Sequence, residues 1–444
     1  MTIRRLASQL WRYRVSGLML TLGVTCLLIL VGTHLLQHSS RHGRHKGWTK
    51  KPVKDRAQPA ANPGFSRPDN LHQDRKRRSD TPKDGSFLKI MKPRTQTPAV
   101  VFLKTHKTGS STVQNLLFRM GERDKATFAF PHHTYQFNYP DKFRAKFVDE
   151  LPDGSSQYDL LCSNMRLDVG QLKQVMPQNA IYITILREPL RTFESVFSYY
   201  TSTVPAFILA KKVAETSGHK SALSLFLDSP DAFWDPEEPG NGLGKNPMSF
   251  DLGLDNQQWN STWRTDLALL EDTFQLVMIA EHFDESLILL GGLLNLELEE
   301  LAYVYLNVRS HQDVSPLDDD TQVKISTWNS LDVLLYDFFL QLFLEKVEKY
   351  GLERLNSEVA LLRATIDRIR QKCVARKGVH PVELEDLVRP WQTDTVTILG
   401  YQIRKNLTKQ EQGFCTRLVL PELQYHTHLY FQQYGRDMRA VPTE

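Results

Sequence analysis

Apolar positions along residues 98–444 fall into short dense runs and longer stretches with helical spacing. The runs at 100–103, 158–162, 181–186 and 276–280 are nearly continuous. Such runs predict strands buried on both faces. Val113, Leu116, Leu117 and Met120 recur at i, i+3, i+4 and i+7, which predicts a helix over 113–120 with one buried stripe. Comparable patterns predict helices at 192–200, 286–294, 333–348 and 354–372. Strands alternating with helices predict an α/β fold, a central parallel sheet flanked by helices. The stretch 228–255 is rich in Pro, Gly, Asn and Asp and reads as a long surface loop of the functional kind. No internal repeat interrupts this pattern.

The N-terminal part has a different texture. Residues 15–36 form a run of 22 without Lys, Arg, Asp or Glu. That is long enough to cross a bilayer core, which takes about 20 residues. A cleaved signal peptide has a shorter apolar core, about 7–15 residues, so the run predicts an uncleaved anchor. Basic residues flank it on both sides, Arg4, Arg5, Arg12 and Arg14 before and Arg41, Arg44 and Lys46 after. Flanking charge therefore does not orient it. Residues 37–97 carry sixteen Lys/Arg against five Asp/Glu and few apolar residues, which predicts a disordered basic stem. Within it, Arg75-Lys76-Arg77-Arg78 reads either as a processing site or as solvated linker.

The whole-chain net charge is +4. Residues 1–36 contribute +4 and 37–97 contribute +11, so 98–444 carry 4 − 4 − 11 = −11. An acidic globular part argues against nucleic acid as a partner. The sequons Asn260-Ser261-Thr262 and Asn406-Leu407-Thr408 are candidate glycosylation sites. Four cysteines are present, Cys26 in the apolar run, then Cys162, Cys373 and Cys415. No His/Cys/Asp cluster has metal-ligand spacing, and no metal is expected.

Two junctions carry chemistry. After the run at 100–103 comes Thr105-His106-Lys107-Thr108-Gly109-Ser110-Ser111-Thr112, a small-residue turn that opens a helix. Such a turn aims backbone N–H groups and a helix N-terminus at an anion. The order GxxxxGK[ST] of nucleotide-triphosphate loops is absent, because Lys107 precedes the glycine. A lysine ahead of a Gly/Ser/Thr turn resembles the 5′-phosphosulfate loop of sulfotransferases, which use 3′-phosphoadenosine-5′-phosphosulfate (PAPS). At the second junction, strand 181–186 runs into Arg187-Glu188-Pro189, and Ser195 follows on the helix. An arginine at the strand end and a hydroxyl on the helix can converge on one phosphate. The Arg…Ser spacing resembles the 3′-phosphate site of the same enzymes.

From here the resemblance is specific. Phe102-Leu103-Lys104-Thr105-His106-Lys107-Thr108-Gly109-Ser110-Ser111-Thr112, Phe128-Ala129-Phe130-Pro131, Cys162 with Met165-Arg166, and Phe193-Glu194-Ser195 resemble the galactose-3-O-sulfotransferase family. So do Phe250-Asp251-Leu252-Gly253, the segment from Glu281 to Leu287, Trp328-Asn329, Leu399-Gly400-Tyr401 and Pro421-Glu422-Leu423-Gln424-Tyr425. The similarity runs from about Val100 to the C-terminus. It implies sulfate transfer from PAPS to the 3-hydroxyl of a terminal β-galactose on glycolipids or glycoproteins. It implies a Golgi type II membrane protein with a cytoplasmic tail at 1–14, an anchor at 15–36, a stem at 37–97 and a luminal sulfotransferase domain of P-loop-like fold at 98–444. It also implies a Cys373–Cys415 disulfide, with Cys162 left as a buried free thiol. Homo-oligomerisation is left open, and so is the acceptor among galactosylceramide, Galβ1-3GalNAc and Galβ1-4GlcNAc.

The resemblance and the chemistry together assign roles. Lys107, with the segment from Thr108 to Thr112, faces the 5′-phosphosulfate, assisted by Lys104. Arg187 and Ser195 face the 3′-phosphate. His106 is the expected base, since imidazole titrates near working pH; His132 and His133 stand in reserve. Asn164, Arg166, Asp251 and Glu281 are acceptor candidates, as are Asp284 and Glu285. Phe250 and Trp328 read as sugar-stacking or core aromatics. One departure stands out. Family members commonly carry a histidine two residues before the arginine of the Cys-x-x-Met-Arg segment, and this chain has Asn164. An asparagine can replace a positioning histidine but not a base. The alternatives are a catalytically silent carbohydrate-binding relative and, against the loop order, a nucleotide-dependent kinase.

Overall fold

The computed structural model describes Arg94, residues 97–218 and residues 221–439. The predicted span at 15–36 and the basic site at 75–78 lie outside the described residues, as does nearly all of the predicted stem. No helix among the described residues is long and apolar enough to cross a membrane.

The sheet that positions the site has four parallel strands: β1 (Val100–Leu103), β2 (Leu160–Leu161), β3 (Ile181–Leu186) and β4 (Leu276–Ile279), in the order β2-β1-β3-β4. Every residue of β1 and β4 is buried, and so is β3 after its first residue. Burial on both faces is why these strands read as unbroken Val/Ile/Leu runs. Buried Thr184 is satisfied within the sheet, its hydroxyl donating to the Leu103 carbonyl at 2.9 Å. The chain leaves β1 to form β2 on one side, then crosses back to form β3 on the other. The strand order therefore reverses between β1 and β3, and open α/β sheets bind ligands at such a reversal, beyond the carboxyl ends of the strands.

Helices α1 (Ser110–Asp124), α2 (Pro189–Tyr200), α3 (Pro247–Asp251), α4 (Phe283–Leu294) and α5 (Ser330–Tyr350) follow in chain order. After them come α6 (Leu352–Cys373), α7 (Lys409–Val419) and α8 (Glu422–Tyr434). Val113, Leu116, Leu117 and Met120 of α1 are all buried, as their spacing predicts. Pro189 opens α2, where its missing N–H costs nothing. A second, antiparallel sheet pairs β5 (Val308–Arg309), β7 (Ile398–Ile403) and β6 (Val374–Val379). A disulfide joins Cys373, at the end of α6, to Cys415 in α7, with Cα atoms 5.1 Å apart. Cys162 is free and buried.

The stretch 228–255 is not the surface loop its composition predicts. It holds α3, whose five residues are all buried, along with buried Asn241 and Asn246. The α5 residue Asp332 accepts hydrogen bonds from Met248 N (3.0 Å), Ser249 N (2.8 Å) and Ser249 Oγ (2.6 Å). That carboxylate caps the start of α3. Gly253 ends the turn with φ +74°, and a Cβ there would lie 2.3 Å from the Leu167 carbonyl oxygen. Only glycine fits.

Candidate active site

The loop after β1 is shaped by its small hydroxyl residues. Thr105 Oγ1 donates to the Ile185 carbonyl at 2.5 Å, tying the loop to β3, and lies 2.7 Å from Thr108 Oγ1. Ser110 Oγ donates to the Thr105 carbonyl at 2.6 Å. Lys107 and Gly109 both have positive φ, 59° and 87°. A lysine held in the left-handed region stores of order 1 kcal/mol of strain. Gly109 caps α1 with no side-chain hydrogen bond. The first amides of α1 have no acceptor within their own helix, and a helix start of this kind favours an anion.

The Lys107 ammonium is the most telling group in this loop. Its Nζ is buried and has no hydrogen-bond acceptor among the described residues. The Tyr199 ring covers it, 3.8 Å to the centroid. Burial, then the charges of Arg309, Lys104 and Arg187, drive its pKa well below the ordinary lysine value. The Glu422 charge opposes this shift without reversing it, and a cation held among cations favours an anionic ligand. Arg187, at the end of β3, donates from Nη1 to the Lys107 carbonyl at 3.1 Å, so the two junctions meet across the strand-order reversal. Ser195 is buried on α2. Arg309, which no sequence pattern marked, sits on two-residue β5. Its guanidinium grips Glu194 in a two-pronged pair at 3.0 and 2.6 Å. Burial opposes the Glu194 charge, but these bonds outweigh it and hold the carboxyl below its usual range.

A second cluster surrounds His106. Its backbone N–H donates to Asp251 Oδ2 at 2.7 Å, and Nδ1 lies 3.0 Å from both Asp251 oxygens. The carboxylate fixes the proton on Nδ1 and leaves Nε2 as an acceptor. Asn164 Nδ2 stands 3.4 Å from Nε2 and also donates to the Lys104 carbonyl at 3.0 Å. Its Oδ1 accepts from Lys104 Nζ at 2.8 Å. Asn164 therefore links the lysine and the histidine and uses both ends of its amide. The imidazole is packed between the rings of Tyr139 and Tyr200, at 4.6 and 5.7 Å. The Tyr139 hydroxyl donates to Asp251 Oδ1 at 2.8 Å; burial and the Asp251 charge raise its pKa well above the ordinary phenol value, so it stays a donor.

Lys104, Asn164, Tyr139, Tyr199 and Tyr200 line a cavity of about 500 Å³. Glu422, at the start of α8, also lines it. Its Oε2 lies 3.0 Å from Lys104 Nζ and accepts from Ser111 Oγ at 3.0 Å. Burial opposes the Glu422 charge, but Lys104 and the Ser111 bond prevail and keep it ionised. Its place in the family-like Pro421–Tyr425 segment was the one available sequence signal.

Other candidates lie outside the cavity lining, though Arg166 is close enough to Tyr139 and Asp251 for their charges to act on it. Glu281 accepts from Glu188 N and the Tyr336 hydroxyl, at 3.1 and 3.0 Å, and so braces α2 against α5. Asp284 pairs with Arg363 and the Tyr303 hydroxyl, and Glu285 lies at the edge of the Arg363 pair. Arg166 lies 4.0 Å over the Phe250 ring. Trp328 packs in a buried cluster against Phe226. His132 bonds the Lys146 carbonyl and His133 the Arg439 carbonyl, at 2.8 and 3.3 Å, both apart from His106. Asn260 is half-buried and Asn406 exposed; Thr408 of the second sequon caps α7. Among the described residues no group of three or more His, Cys, Asp or Glu is placed to hold a metal.

The parallel sheet brings a small-residue turn and clustered lysines and arginines together at its strand-order reversal, an arrangement suited to an anionic ligand. The sequence comparisons give the family. The galactose-3-O-sulfotransferase profile matches residues 6–433, and the chain belongs to that family of sulfate-transferring enzymes. The human galactosylceramide sulfotransferase is 39% identical over 333 residues, 73% of this chain and 76% of the relative. The pig galactose-3-O-sulfotransferase 2 is 38% identical over 345 residues, 76% and 84% of the two chains. The mouse galactose-3-O-sulfotransferase 3 is 37% identical over 364 residues, 79% and 81%.

Proposed function

We propose that this protein transfers a sulfuryl group from PAPS to the 3-hydroxyl of a terminal β-galactose. The observation that carries the reading is the buried, acceptor-less Lys107 ammonium beside Arg187, Arg309 and Lys104, within a galactose-3-O-sulfotransferase chain. PAPS has two phosphate groups, and this reading divides the clustered cations between them. Lys107, Lys104 and the α1 amides serve the 5′-phosphosulfate; Arg187 and Ser195, with Arg309 beside them, serve the 3′-phosphate.

In the reaction the galactose oxygen forms a bond to sulfur while the bond from sulfur to the bridging oxygen breaks. The electron pair goes to the 5′-phosphate, and the hydroxyl proton goes to His106 Nε2. Lys107 and the amides stabilise charge growing on the bridging and sulfuryl oxygens, the largest catalytic term in a water-poor site. Asp251 holds the imidazole and stabilises it once protonated, as in other carboxylate–histidine pairs. Asn164, which touches both Lys104 and His106, positions rather than abstracts, and this is how the chain tolerates asparagine there.

The relatives are named for galactosylceramide and for galactose alike, at nearly equal identity, so both glycolipid and glycoprotein galactosides belong in the proposal. We further propose a Golgi type II protein whose domain at 98–444 is luminal. The uncharged run at 15–36, the two sequons and the Cys373–Cys415 disulfide favour a secretory, oxidising compartment. Incubation of the full-length protein with PAPS labelled in sulfur and a panel of terminal β-galactosides tests the activity. Labelled product on galactose supports it; no transfer to any galactoside overturns it. Endoglycosidase sensitivity of the expressed protein tests the topology.

A further inference from the structure

The cavity grades from a buried floor to an open mouth. Lys104 and Asn164 are 5% and 3% exposed, whereas Trp391 on the same lining is 65% exposed. An indole offered to water at the mouth of a cavity costs apolar exposure, and here it is held there by design of its segment. Gln392 donates from Nε2 to the Pro390 and Ile398 carbonyls at 2.8 and 3.0 Å and accepts from Ile398 N at 2.9 Å. Gln424 Nε2 donates to the Arg389 carbonyl at 2.6 Å, and Thr395 Oγ1 donates to the Ser198 carbonyl at 2.8 Å. The last bond ties the segment to α2, the helix that carries Ser195. The segment that carries the tryptophan is thus fixed by hydrogen bonds on both sides of it.

The chemistry of the lining narrows the occupant. Its charged residues are Lys104 and Glu422, which pair with each other. The remaining lining is uncharged: aromatic rings, amide or hydroxyl side chains such as Gln136, Thr393, Tyr401 and Gln424, and aliphatic side chains such as Ile398 and Leu423. A flat aromatic face beside uncharged hydrogen-bonding groups matches the apolar C–H face and hydroxyl rim of a neutral pyranose. At about 500 Å³ the cavity lies in the range of sites that enclose a drug-sized ligand, about 300–1,000 Å³, and a single hexose underfills it.

We infer that Trp391 is a specificity-determining residue that stacks on the second, neutral sugar of the acceptor, the one bearing the terminal galactose. This rests on the proposed galactose sulfotransfer. Kinetics with methyl β-galactoside and with a β-galactosyl disaccharide, on wild type and Trp391→Ala, test it. The expected result is a rise of about tenfold in KM for the disaccharide, the equivalent of about 1.4 kcal/mol. KM for the monosaccharide and kcat for both should stay within about twofold, and Trp391→Tyr should restore the disaccharide. Equal effects on both acceptors, or none, overturn the subsite. So does a KM increase confined to galactosylceramide, which would give the platform to the lipid. If the wild type sulfates no galactoside, the underlying reading fails. The subsite is then judged by saturation-transfer NMR, where preferential binding of disaccharide over monosaccharide, lost in Trp391→Ala, supports it and no preference overturns it.

Discussion

His106 and Asp251 stand 145 residues apart in sequence, yet Nδ1 of the one lies 3.0 Å from both carboxylate oxygens of the other. Asp251 also accepts from the His106 backbone and from Tyr139, so it fixes the loop, the ring and the ring's tautomer together. Asp251→Asn keeps the shape but puts an amide N–H where an acceptor is needed. We expect kcat to fall by about 100-fold or more, with donor affinity within about threefold of wild type. Steady-state kinetics and donor-product titration check this. Near-normal kcat in a folded Asp251→Asn protein would remove His106 as base.

Lys107 makes the opposite kind of prediction, a gain for the fold and a loss for the chemistry. Burial and three neighbouring cations oppose its charge, Glu422 and the Tyr199 ring offset them only in part, and its Nζ has no hydrogen-bond acceptor among the described residues. Lys107→Met should leave thermal stability unchanged or higher while transfer falls about 1,000-fold. The sign of the pH effect follows. The free enzyme holds this group with a lowered pKa, and an anionic donor raises it. Binding of 3′-phosphoadenosine 5′-phosphate therefore takes up a proton above the lowered value, and affinity falls as pH rises through it. Calorimetry in two buffers of different ionisation enthalpy measures the uptake, which should vanish in Lys107→Met.

His426 gives the fold an acid limit. It is fully buried on α8, both ring nitrogens lack partners among the described residues, and burial pushes its pKa down to about 4. The ordinary value is about 6.5. Above that value the folded and unfolded states are both neutral and nothing is lost. Below it the unfolded chain binds the proton first, so stability drops as pH falls from 6.5 toward 4, by roughly 3 kcal/mol at most. Urea midpoints at pH 7 and pH 4.5 should diverge in the wild type and converge in His426→Phe.

The sequence made the sheet legible and half of the site. Strand 181–186 coincides with β3, because a central parallel strand must be apolar on both faces. Strand 158–162 shrinks to Leu160–Leu161, and Asn164 beyond it meets Lys104 only in an isolated bridge. Lys107 and Arg187 were readable because each follows a strand that composition already marks. Asp251 was named only as one carboxylate among several. Its helix has five residues, too few for periodicity, inside a stretch whose composition reads as loop. Arg309 lies on a strand of two residues and leaves no pattern. Glu422 reaches Lys104 across most of the chain, a proximity that only the packing of α8 against α1 creates.

The central claim is sulfuryl transfer to one hydroxyl, and its most direct measurement is regiochemical. The full-length protein is incubated with sulfur-labelled PAPS and either a β-galactoside or its 3-deoxy analogue. Labelled 3-sulfate is expected on the first and none on the second. Label on both acceptors, or on neither, would contradict it.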